Sequence, residues 1–559
     1  MNSPRFISLF LVVGIVFFSG LLSAQVLQSK LMSDRLIVKF KQPFIKPTDL
    51  QSAASSKKAA SPFDILNEKY GVVDIHDISS RNPASTNYRT TFSLVFRENI
   101  DIETAIAEYS ATDLFEYVEE DGQAQAISSP IMPQGSAPNV QYFGRQWAFD
   151  NNGTFNATAT NDADIDMPEA WQITTGDSSV IVAVIDAGLK FDHPSFAGRI
   201  HVNKADIPGN GIDDDSNGYM NDVVGWDFVD KDNLPIDDNG HGTFVTGVLA
   251  ANGGDGGLYA GVDWKCKLMI LKVLDRNSGT PFSRVAEAIN YAVDNKARVI
   301  NISIAGTVKN QAMQDAITAA HTAGVFVVCG MANNNNATVF YPAACTNTFA
   351  VGSTNENDHR SGSAGSPTYS GSGGSNYGAH IKVVAPGNFI YGLIYVSDSN
   401  PDYFSWGTSL STAFVSGLAS LLLAQDPTRN ADSLSAIITR TAEDKVGLAS
   451  EDVAGWDKYY GYGRINAFAA LSVKTNAVSN TNLFTTNFSI YPNPAGSTLY
   501  VYGLSGTPVL FEITDVAGRV MWSGTMNTMQ SQIDLTRFTN GVYTIRESGG
   551  ASQRFIIMH

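Results

Sequence analysis

Cysteine and positive charge are what this sequence has least of. Only three of its 559 residues are cysteines, which is too few for a disulfide-stabilised scaffold. Cys329 and Cys345 could pair and leave Cys266 free, or all three could be buried thiols. Lysine and arginine total 37 against 54 aspartates and glutamates, so the formal net charge is −17. We therefore expect no nucleic-acid partner and no attraction to anionic membrane surfaces.

Long hydrophobic runs are also scarce. Outside the N-terminus, no stretch approaches the roughly 20 apolar residues that a membrane-spanning helix needs. At the N-terminus, Arg5 precedes an apolar run over residues 6–18, and Ser23 and Ala24 supply small residues before a cut after Ala24. This pattern predicts a secretory signal peptide over residues 1–24. The alternative is a membrane anchor, for which the run is too short.

The chain is long enough for at least three structural units, and its patterning changes along its length. Residues 25–125 mix short strands and helices and predict a small α+β unit, and residues 126–140, rich in Ser, Pro, Gln and Gly, predict a linker. From 141 to 475, buried strands alternate with helices, which predicts an α/β unit with a mainly parallel sheet. Short strands between turns over 482–559 predict a small β-sandwich.

Three glycine-flanked segments carry the reactive side chains. Asp186 ends a buried strand, His241 stands in Asn-Gly-His-Gly-Thr, and Ser409 opens a buried helix over residues 409–425. An aspartate, an imidazole and a hydroxyl in this chain order are the parts of one known arrangement of the nucleophilic triad. His241 would take the proton of Ser409, and Asp186 would hold the imidazole. Asn333, at the end of another strand, is the expected donor to the oxyanion.

With these segments in place, residues 146–467 resemble the subtilisin-like serine proteases, or subtilases. Further matching motifs are Asp192-His193-Pro194, Lys272-Val273-Leu274, Tyr341-Pro342-Ala343, Val384-Ala385-Pro386-Gly387 and Gly461-Tyr462-Gly463-Arg464. The resemblance implies a three-layer subtilisin-like fold and an endopeptidase that needs no cofactor for its chemistry. The alternative is a weak or inactive secreted binding protein on the same fold.

The resemblance also implies a substrate cleft and shows departures from the family pattern. Two segments would flank the substrate side chain: Ile304, Ala305 and Gly306, and Cys329, Gly330 and Met331. They contain no acidic residue, so we expect a preference for medium-sized apolar side chains. Phe244 and Phe414 stand where the family usually has histidines, and we expect the two rings to pack on each other. Ala187 replaces the usual Thr or Ser after the aspartate, and Ala332 replaces the usual glycine before the asparagine.

A short acidic segment resembles part of a calcium loop. Between residues 213 and 222, oxygen-bearing side chains alternate around a glycine, with Asp213, Asp215, Asn217 and Asp222 as the best ligands. The acidic residue expected at the twelfth position is missing, because Val224 stands there. A structural calcium site and a solvated acidic turn are the two interpretations.

Both flanking units resemble known accessory domains. The unit over 25–125, with Ile37-Val38-Lys39-Phe40 and the stretch 116–121, is similar to the inhibitory propeptides of subtilases, which implies self-cleavage within 123–139. The alternative is an N-terminal domain kept in the mature protein.

The unit over 482–559 carries Ile490-Tyr491-Pro492-Asn493-Pro494 and Asn540-Gly541-Val542-Tyr543 and resembles the sorting domain of type IX secretion, the alternative being a carbohydrate- or protein-binding β-domain. We expect a monomer, secreted or held at a bacterial surface, whose partners are protein or peptide substrates, its own propeptide and the type IX secretion machinery.

Overall fold

The computed structural model describes residues 31–43, 61–82, 85, 88–126, 132–133, 142–253, 259–363, 373–393, 403–473, 489–491, 495–502, 509–515, 519–526, 530–547 and 552–557. The predicted signal peptide lies outside these residues. The chain divides into two compact units, residues 1–474 and 475–559.

The N-terminal part of the first unit is a small antiparallel sheet covered by two helices. Its elements are β1 (Leu31–Phe40), α1 (Pro62–Tyr70), β2 (Val72–Asp77), β3 (Thr91–Phe96), α2 (Ile102–Ser110), β4 (Phe115–Ala126) and β5 (Met132–Pro133). Helix α1 begins at a capping box formed by Ser61 and Asp64 and ends at Gly71, whose φ is 66°. On β1, Leu36 and Val38 join the core beneath these helices, whereas Ile37 faces the other way and packs with Ala312.

The larger part of the first unit is a doubly covered parallel sheet. Its elements are α3 (Met167–Ile173), β6 (Ile181–Asp186), β7 (Gly225–Asp227), α4 (His241–Ala250), β8 (Lys267–Lys272), β9 (Gly279–Pro281), α5 (Phe282–Asp294), β10 (Val299–Ile302), β11 (Ile304–Ala305), α6 (Gln311–Thr322), β12 (Phe326–Gly330), β13 (Thr348–Thr354), β14 (Ile381–Pro386), β15 (Ile390–Tyr391), β16 (Tyr403–Ser405), α7 (Thr408–Gln425), α8 (Ala431–Thr441) and α9 (Ala467–Ser472).

Seven strands form this sheet in the order β14-β13-β12-β10-β6-β8-β7, and all six neighbouring pairs are parallel. Alternate residues of β6 enter different cores. Val182 and Val184 pack with α4 and α7, while Ala183 and Ile185 pack with α5 and α6. A strand buried on both faces needs apolar residues at every position, which is why β6 is a continuous apolar run. The predicted three-layer α/β fold is confirmed.

Helix α7 runs through the interior of this unit. Its 18 residues make it long and apolar enough to cross a membrane, contrary to the expectation that no segment outside the N-terminus would be, but it is largely buried and is a core helix here. Among the described residues it alone has that length and composition.

Strand β4 reaches further than the predicted boundary at residue 125. Its first half pairs with β1, and its last residues pair antiparallel with β9 and β11 of the α/β part. The backbone hydrogen bonds made there keep the strand extended to Ala126. Within the predicted linker, β5 pairs with β16.

The second unit is a small sandwich. Its strands are β17 (Ser489–Tyr491), β18 (Thr498–Tyr502), β19 (Val509–Asp515), β20 (Val520–Met526), β21 (Gln530–Asp534), β22 (Gly541–Glu547) and β23 (Ser552–Ile557). They form a three-stranded sheet, β17-β18-β21, and a four-stranded sheet, β20-β19-β22-β23. Leu499 and Val501 from the first sheet and Phe511 and Ile513 from the second share one core.

Candidate active site

Three element ends bring the predicted reactive residues together. Asp186 is the last residue of β6, His241 is the first of α4, and Ser409 is the second of α7. The loop after Asp186 and the start of α4 touch through their backbones. A Cβ added to Gly242 would lie 2.2 Å from the carbonyl oxygen of Gly188, so glycine is needed there.

The three side chains form a continuous hydrogen-bonded chain. His241 Nδ1 lies 2.6 Å from Asp186 Oδ1, and His241 Nε2 lies 3.1 Å from Ser409 Oγ. Because a carboxylate only accepts, Nδ1–H donates to Asp186 and Nε2 is left to accept from the Ser409 hydroxyl. Burial lowers the pKa of His241, but Asp186 and, more weakly, Asp237 raise it above its usual value overall. The predicted residues therefore have the geometry of a proton relay.

The Asp186 carboxylate is held at only one of its oxygens. Oδ1 accepts from the Ala187 N–H at 2.7 Å as well as from His241. Oδ2 is buried and receives no hydrogen bond from any residue that the structure describes. The methyl group of Ala187 offers no donor where a serine or threonine hydroxyl could.

Asn333 lies next to the nucleophile with a fixed orientation. Its Oδ1 accepts from the backbone N–H of Thr408 at 3.0 Å and from the Thr408 hydroxyl at 3.1 Å. With the oxygen held there, the amide NH₂ is the end that can donate to an oxyanion. The preceding Ala332 is buried with a φ of 74°, a left-handed conformation that costs a non-glycine residue about 1 kcal/mol or more.

An extended segment of this same chain occupies the neighbouring cleft. Gln125 pairs with Gly279 on one side and Ala305 on the other, and Ala126 pairs with Ile304. The cleft leads to the nucleophile, because the Ser303 hydroxyl donates to the Ser409 carbonyl at 3.2 Å. At Gly306 an added Cβ would lie 2.5 Å from the Gln123 carbonyl oxygen. Ile304, Ala305 and Gly306 therefore all lie against residues 123–126.

The second predicted cleft segment lies on the adjacent strand. Cys329 and Gly330 end β12, which pairs with β10, and Met331 follows; all three are buried. All three cysteines of the chain are free and buried. Of the two alternatives, buried thiols therefore describe Cys266, Cys329 and Cys345, and burial raises the pKa of each.

Two carboxylates of β4 cap helices of the α/β part, a role that sequence reasoning missed. Glu119 accepts from the backbone N–H groups of Gln311 and Ala312, at 2.7 and 2.8 Å, at the start of α6. Asp121 accepts from the N–H of Ser283 at 3.0 Å and from its hydroxyl, at the start of α5. Burial raises the pKa of Glu119 to about 7. The available signal was the placement of both acids on one face of a strand.

The acidic loop forms a cluster with one unpredicted member. Carboxylate oxygens of Asp206, Asp213 and Asp215 lie within 4.8 Å of one another. Asn217 donates to Asp222 at 2.8 Å and to Asp215 at 3.2 Å. Asp222 also accepts from Asn203 and Tyr291, which satisfies both of its oxygens. Carboxylate oxygens are the ligands that calcium prefers, so the first three residues fit such an ion best.

The expected stacking of Phe244 on Phe414 is wrong. The Phe414 ring packs edge-on against Phe149, with centroids 5.4 Å apart. The Phe244 ring instead lies against Gly392, where an added Cβ would be 2.8 Å from the ring. Among the described residues the two phenyl rings share a core without pairing.

Comparisons with known proteins match two parts of the chain to known families. Residues 177–463 match the profile described as "Subtilase family", and residues 489–558 match "Secretion system C-terminal sorting domain". Thermitase of Thermoactinomyces vulgaris is 33% identical over 322 residues, which cover 57% of this chain and 98% of thermitase. A thermophilic serine proteinase of Bacillus sp. strain AK1 is 32% identical, over 54% of this chain and 64% of that protein.

A solved structure shares the fold. Fervidolysin from Fervidobacterium pennivorans, described as a keratinolytic enzyme related to subtilisin, superposes with a TM-score of 0.55 at 19% identity. The match covers 93% of this chain and 72% of fervidolysin. At that identity the likeness concerns the fold alone.

Proposed function

Since this chain belongs to the subtilase family of serine endopeptidases, we propose that its hydrolysis of peptide bonds uses Ser409 as nucleophile, His241 as general base and Asp186 as the group that holds the imidazole. The observation that carries the proposal is the hydrogen-bonded chain Asp186–His241–Ser409, with contacts of 2.6 and 3.1 Å. The reaction class follows from the family, and the assignment of the residues follows from this geometry.

The proposed reaction has two steps, the acylation of Ser409 and the hydrolysis of the acyl-enzyme. His241 Nε2 takes the Ser409 proton while Oγ bonds to the substrate carbonyl carbon, and the carbonyl oxygen becomes an oxyanion. Asn333 Nδ2 and the N–H groups at the start of α7 stabilise that charge. His241 then gives its proton to the leaving amine as the C–N bond breaks. Water repeats the sequence on the acyl-enzyme and releases the acid. Asp186 stabilises the imidazolium in both steps.

A serine-directed phosphonate tests this assignment. The mature wild type should be labelled and should hydrolyse peptides. Ser409→Ala should not be labelled and should lose roughly a millionfold in kcat, which is the loss that follows removal of the nucleophile in subtilisin. Asn333→Ala should lower kcat about 100- to 1,000-fold while leaving the label in place. No label on the matured wild type would favour the alternative, a secreted binding protein on the protease fold.

The N-terminal region is proposed to be an inhibitory propeptide that the enzyme removes itself. Two described segments support this, since residues 123–126 pair with β9 and β11 and residues 132–133 pair with β16, just before Ser409. In the sequence, these two paired segments lie on either side of residues 127–131. We therefore narrow the predicted cut from 123–139 to the bonds between Ala126 and Met132.

Mass spectrometry of secreted protein tests the cut. The mature N-terminus should begin within residues 127–132, and the Ser409→Ala variant should keep the N-terminal region attached. A mature wild-type protein that still begins near residue 25 would support the alternative, a permanent N-terminal domain.

The cleft is proposed to accept apolar side chains. Ile304, Ala305, Gly306, Cys329, Gly330 and Met331 bring no charge to it, and the segment it holds contributes Ala124 and Ala126. A peptide library should show cleavage after apolar residues in preference to Lys, Arg, Asp or Glu.

The second unit is a sorting domain, so the protein leaves the cell and is secreted or held at its surface. Its proposed partner is the type IX secretion machinery. Deleting residues 475–559 should trap the protein in the periplasm, and normal export of that deletion would count against this partner.

A structural calcium ion is proposed at Asp206, Asp213 and Asp215, with Asn217 and Asp222 around it. The supporting observation is the approach of three carboxylates within 4.8 Å, which repel one another without a cation. A chelator should lower the Tm, and Asp213→Asn should remove that response, while the exposed Asp230→Asn should keep it. If the chelator left the Tm unchanged, the result would support the alternative, a solvated acidic turn that binds no calcium.

A further inference from the structure

A second carboxylate, outside the triad, organises the turn that carries His241. Asp237 is only 4% exposed and accepts four hydrogen bonds. Its Oδ1 accepts from the N–H groups of Asn239 and Gly240, at 2.9 and 2.7 Å. Its Oδ2 accepts from the N–H and the hydroxyl of Thr243, at 2.8 and 2.6 Å. The carboxylate thus binds residues on both sides of His241.

These contacts replace the missing cap of α4. The N-cap residue is Gly240, which has a φ of 101° and no side chain to satisfy the first N–H groups of the helix. Asp237 supplies the acceptor from four residues upstream of His241. Without it, the N–H groups of Gly240 and Thr243 would lose a buried acceptor, and the first turn of α4 would be free to shift.

Asp237 also ties that turn to the loop after Asp186. Its own N–H donates to the Leu189 carbonyl at 3.2 Å, and the N–H of Leu189 donates to Pro235 at 3.0 Å. The Thr243 hydroxyl accepts from the N–H of Lys190 at 3.0 Å. The spacing between the triad carboxylate and the imidazole is therefore set by a network centred on Asp237.

The charge of Asp237 acts on His241 as well. Two carboxylates, Asp186 and Asp237, raise the pKa of His241 against the lowering effect of burial. The other charged groups nearby are one cation and two carboxylates, since Lys272 Nζ lies 3.3 Å from Asp227 and 3.4 Å from Asp238, and together they keep a net negative charge. Asp237 has no cationic partner within salt-bridge distance among the described residues, so its field is not cancelled by one.

We propose that Asp237 is a positioning residue for the hydrolysis, holding His241 at its distance from Ser409 and Asp186 and stabilising the imidazolium that forms in each step. The proposal rests on the proposed role of His241 as general base. Asp237 never meets the substrate and acts only through the imidazole.

The substitution Asp237→Asn tests both halves of the role. It removes the charge and turns one acceptor oxygen into a donor that faces N–H groups. The acidic limb of the kcat/KM profile should move to lower pH by roughly 0.5 to 1 unit, since a nearby negative charge no longer favours the imidazolium. The plateau kcat should fall about tenfold, with KM changed less than twofold, because a displaced base slows the chemistry and not the binding.

Two further variants distinguish the position of the Asp237 carboxylate from its charge, and both of these from a general loss of protein stability. Asp237→Glu keeps the charge but shifts the oxygens, so kcat should fall while the pH midpoint stays; this variant also serves if Asp237→Asn does not fold. Asp263→Asn is the matched control, because Asp263 is an equally buried carboxylate that accepts from Lys265, Cys266 and Ser420 away from the triad. It should lower the Tm and leave the pH midpoint unchanged.

The proposal is overturned if Asp237→Asn keeps the wild-type midpoint, if Asp237→Glu keeps the wild-type kcat, or if Asp263→Asn shifts the midpoint equally. NMR titration of the His241 imidazole in the Ser409→Ala background gives the same midpoint without turnover. Failure of the proposed function would instead appear as a wild type that neither hydrolyses peptides nor takes the phosphonate label.

Discussion

The two flanking regions of this protein are both rich in strands, yet they are built into the molecule in different ways. Residues 31–126 bond to the α/β part through backbone pairing, through the Glu119 and Asp121 caps, and through pairs such as Lys39–Asp315 at 2.7 Å. Residues 489–557 close a core of their own between two sheets. The N-terminal flank supplies strand partners and helix caps to the α/β part, whereas the C-terminal flank buries its apolar residues in a core of its own.

If the proposed roles hold, this difference would let one chain combine an inhibitory propeptide with a secretion signal. A segment that pairs with β9 and β11 and caps two helices would stabilise the α/β part while it blocks the site as proposed. A self-contained sandwich can be recognised and removed without disturbing the peptidase. The predictions below test that contrast.

The largest effect should come from deleting each flank in turn. If the chain is made without residues 25–126, the α/β part should fold to no active enzyme, because β9, β11 and the starts of α5 and α6 lack their partners during folding; enzyme that is cleaved after folding should stay active. Adding the separate N-terminal fragment during refolding should restore activity. Without residues 475–559 the refolded enzyme should match the full chain within twofold in kcat/KM. Equal losses from both deletions would erase the contrast.

A smaller effect should follow from removing one cap. Asp121→Ala leaves the N–H and hydroxyl of Ser283 without an acceptor in a buried place, which costs about 1–3 kcal/mol. The inhibition constant of the isolated 25–126 fragment against mature enzyme should therefore rise about 10- to 100-fold. Glu116→Ala is the control, because its side chain is 56% exposed and its pair with Lys39 contributes little. Equal constants for the two variants would contradict the capping role.

The same inhibition should depend on pH through Glu119. Its pKa rises from an ordinary 4.5 to about 7 on docking, so the docked state takes up a proton. Docking is then favoured at low pH and weakens as the pH rises from about 5 to about 7, by roughly 50- to 100-fold between pH 5 and pH 8. Glu119→Gln should reduce this dependence, while Glu116→Gln and the wild type should keep it. The His76 contact with Glu287 of α5, at the same surface, can form with all three fragments.

The smallest effect on the peptidase should come from unfolding the sandwich. Phe511 is fully buried in its core, and Phe511→Ala should cost about 3–5 kcal/mol. In calorimetry, only the transition of the second unit should move down, with turnover unchanged within error. Val520→Ala, at a 54% exposed position, should move neither transition. A drop of both transitions together would mean that the flank is not self-contained.

Much of this organisation was predictable from local patterns. The buried helix predicted over residues 409–425 follows from apolar periodicity, and in the structure it begins one residue earlier and ends at the same residue. The triad could be predicted because each member carries glycine neighbours and stands at an element end. Asp206 and Asp237 were missed because nothing in their neighbours marks them; their roles come from residues that the fold brings to them.

The Phe244–Phe414 pair shows the opposite error. Two unusual residues near the triad invited the idea of a contact, but a packed core offers each ring several neighbours. Phe414 meets Phe149, which lies far away in the sequence. Sequence proximity to a common site does not determine which side chains touch.

The sequence alone determined which residues can react, the order of the units and the alternation of strands and helices, since these depend on side-chain chemistry and local periodicity. Tertiary structure alone decided that β4 runs on into the cleft, that Glu119 and Asp121 cap helices 192 and 162 residues away, and that Asp237 holds His241 in position. Those contacts form only when distant backbone groups, unsatisfied at helix and strand ends, are buried together and must find a partner.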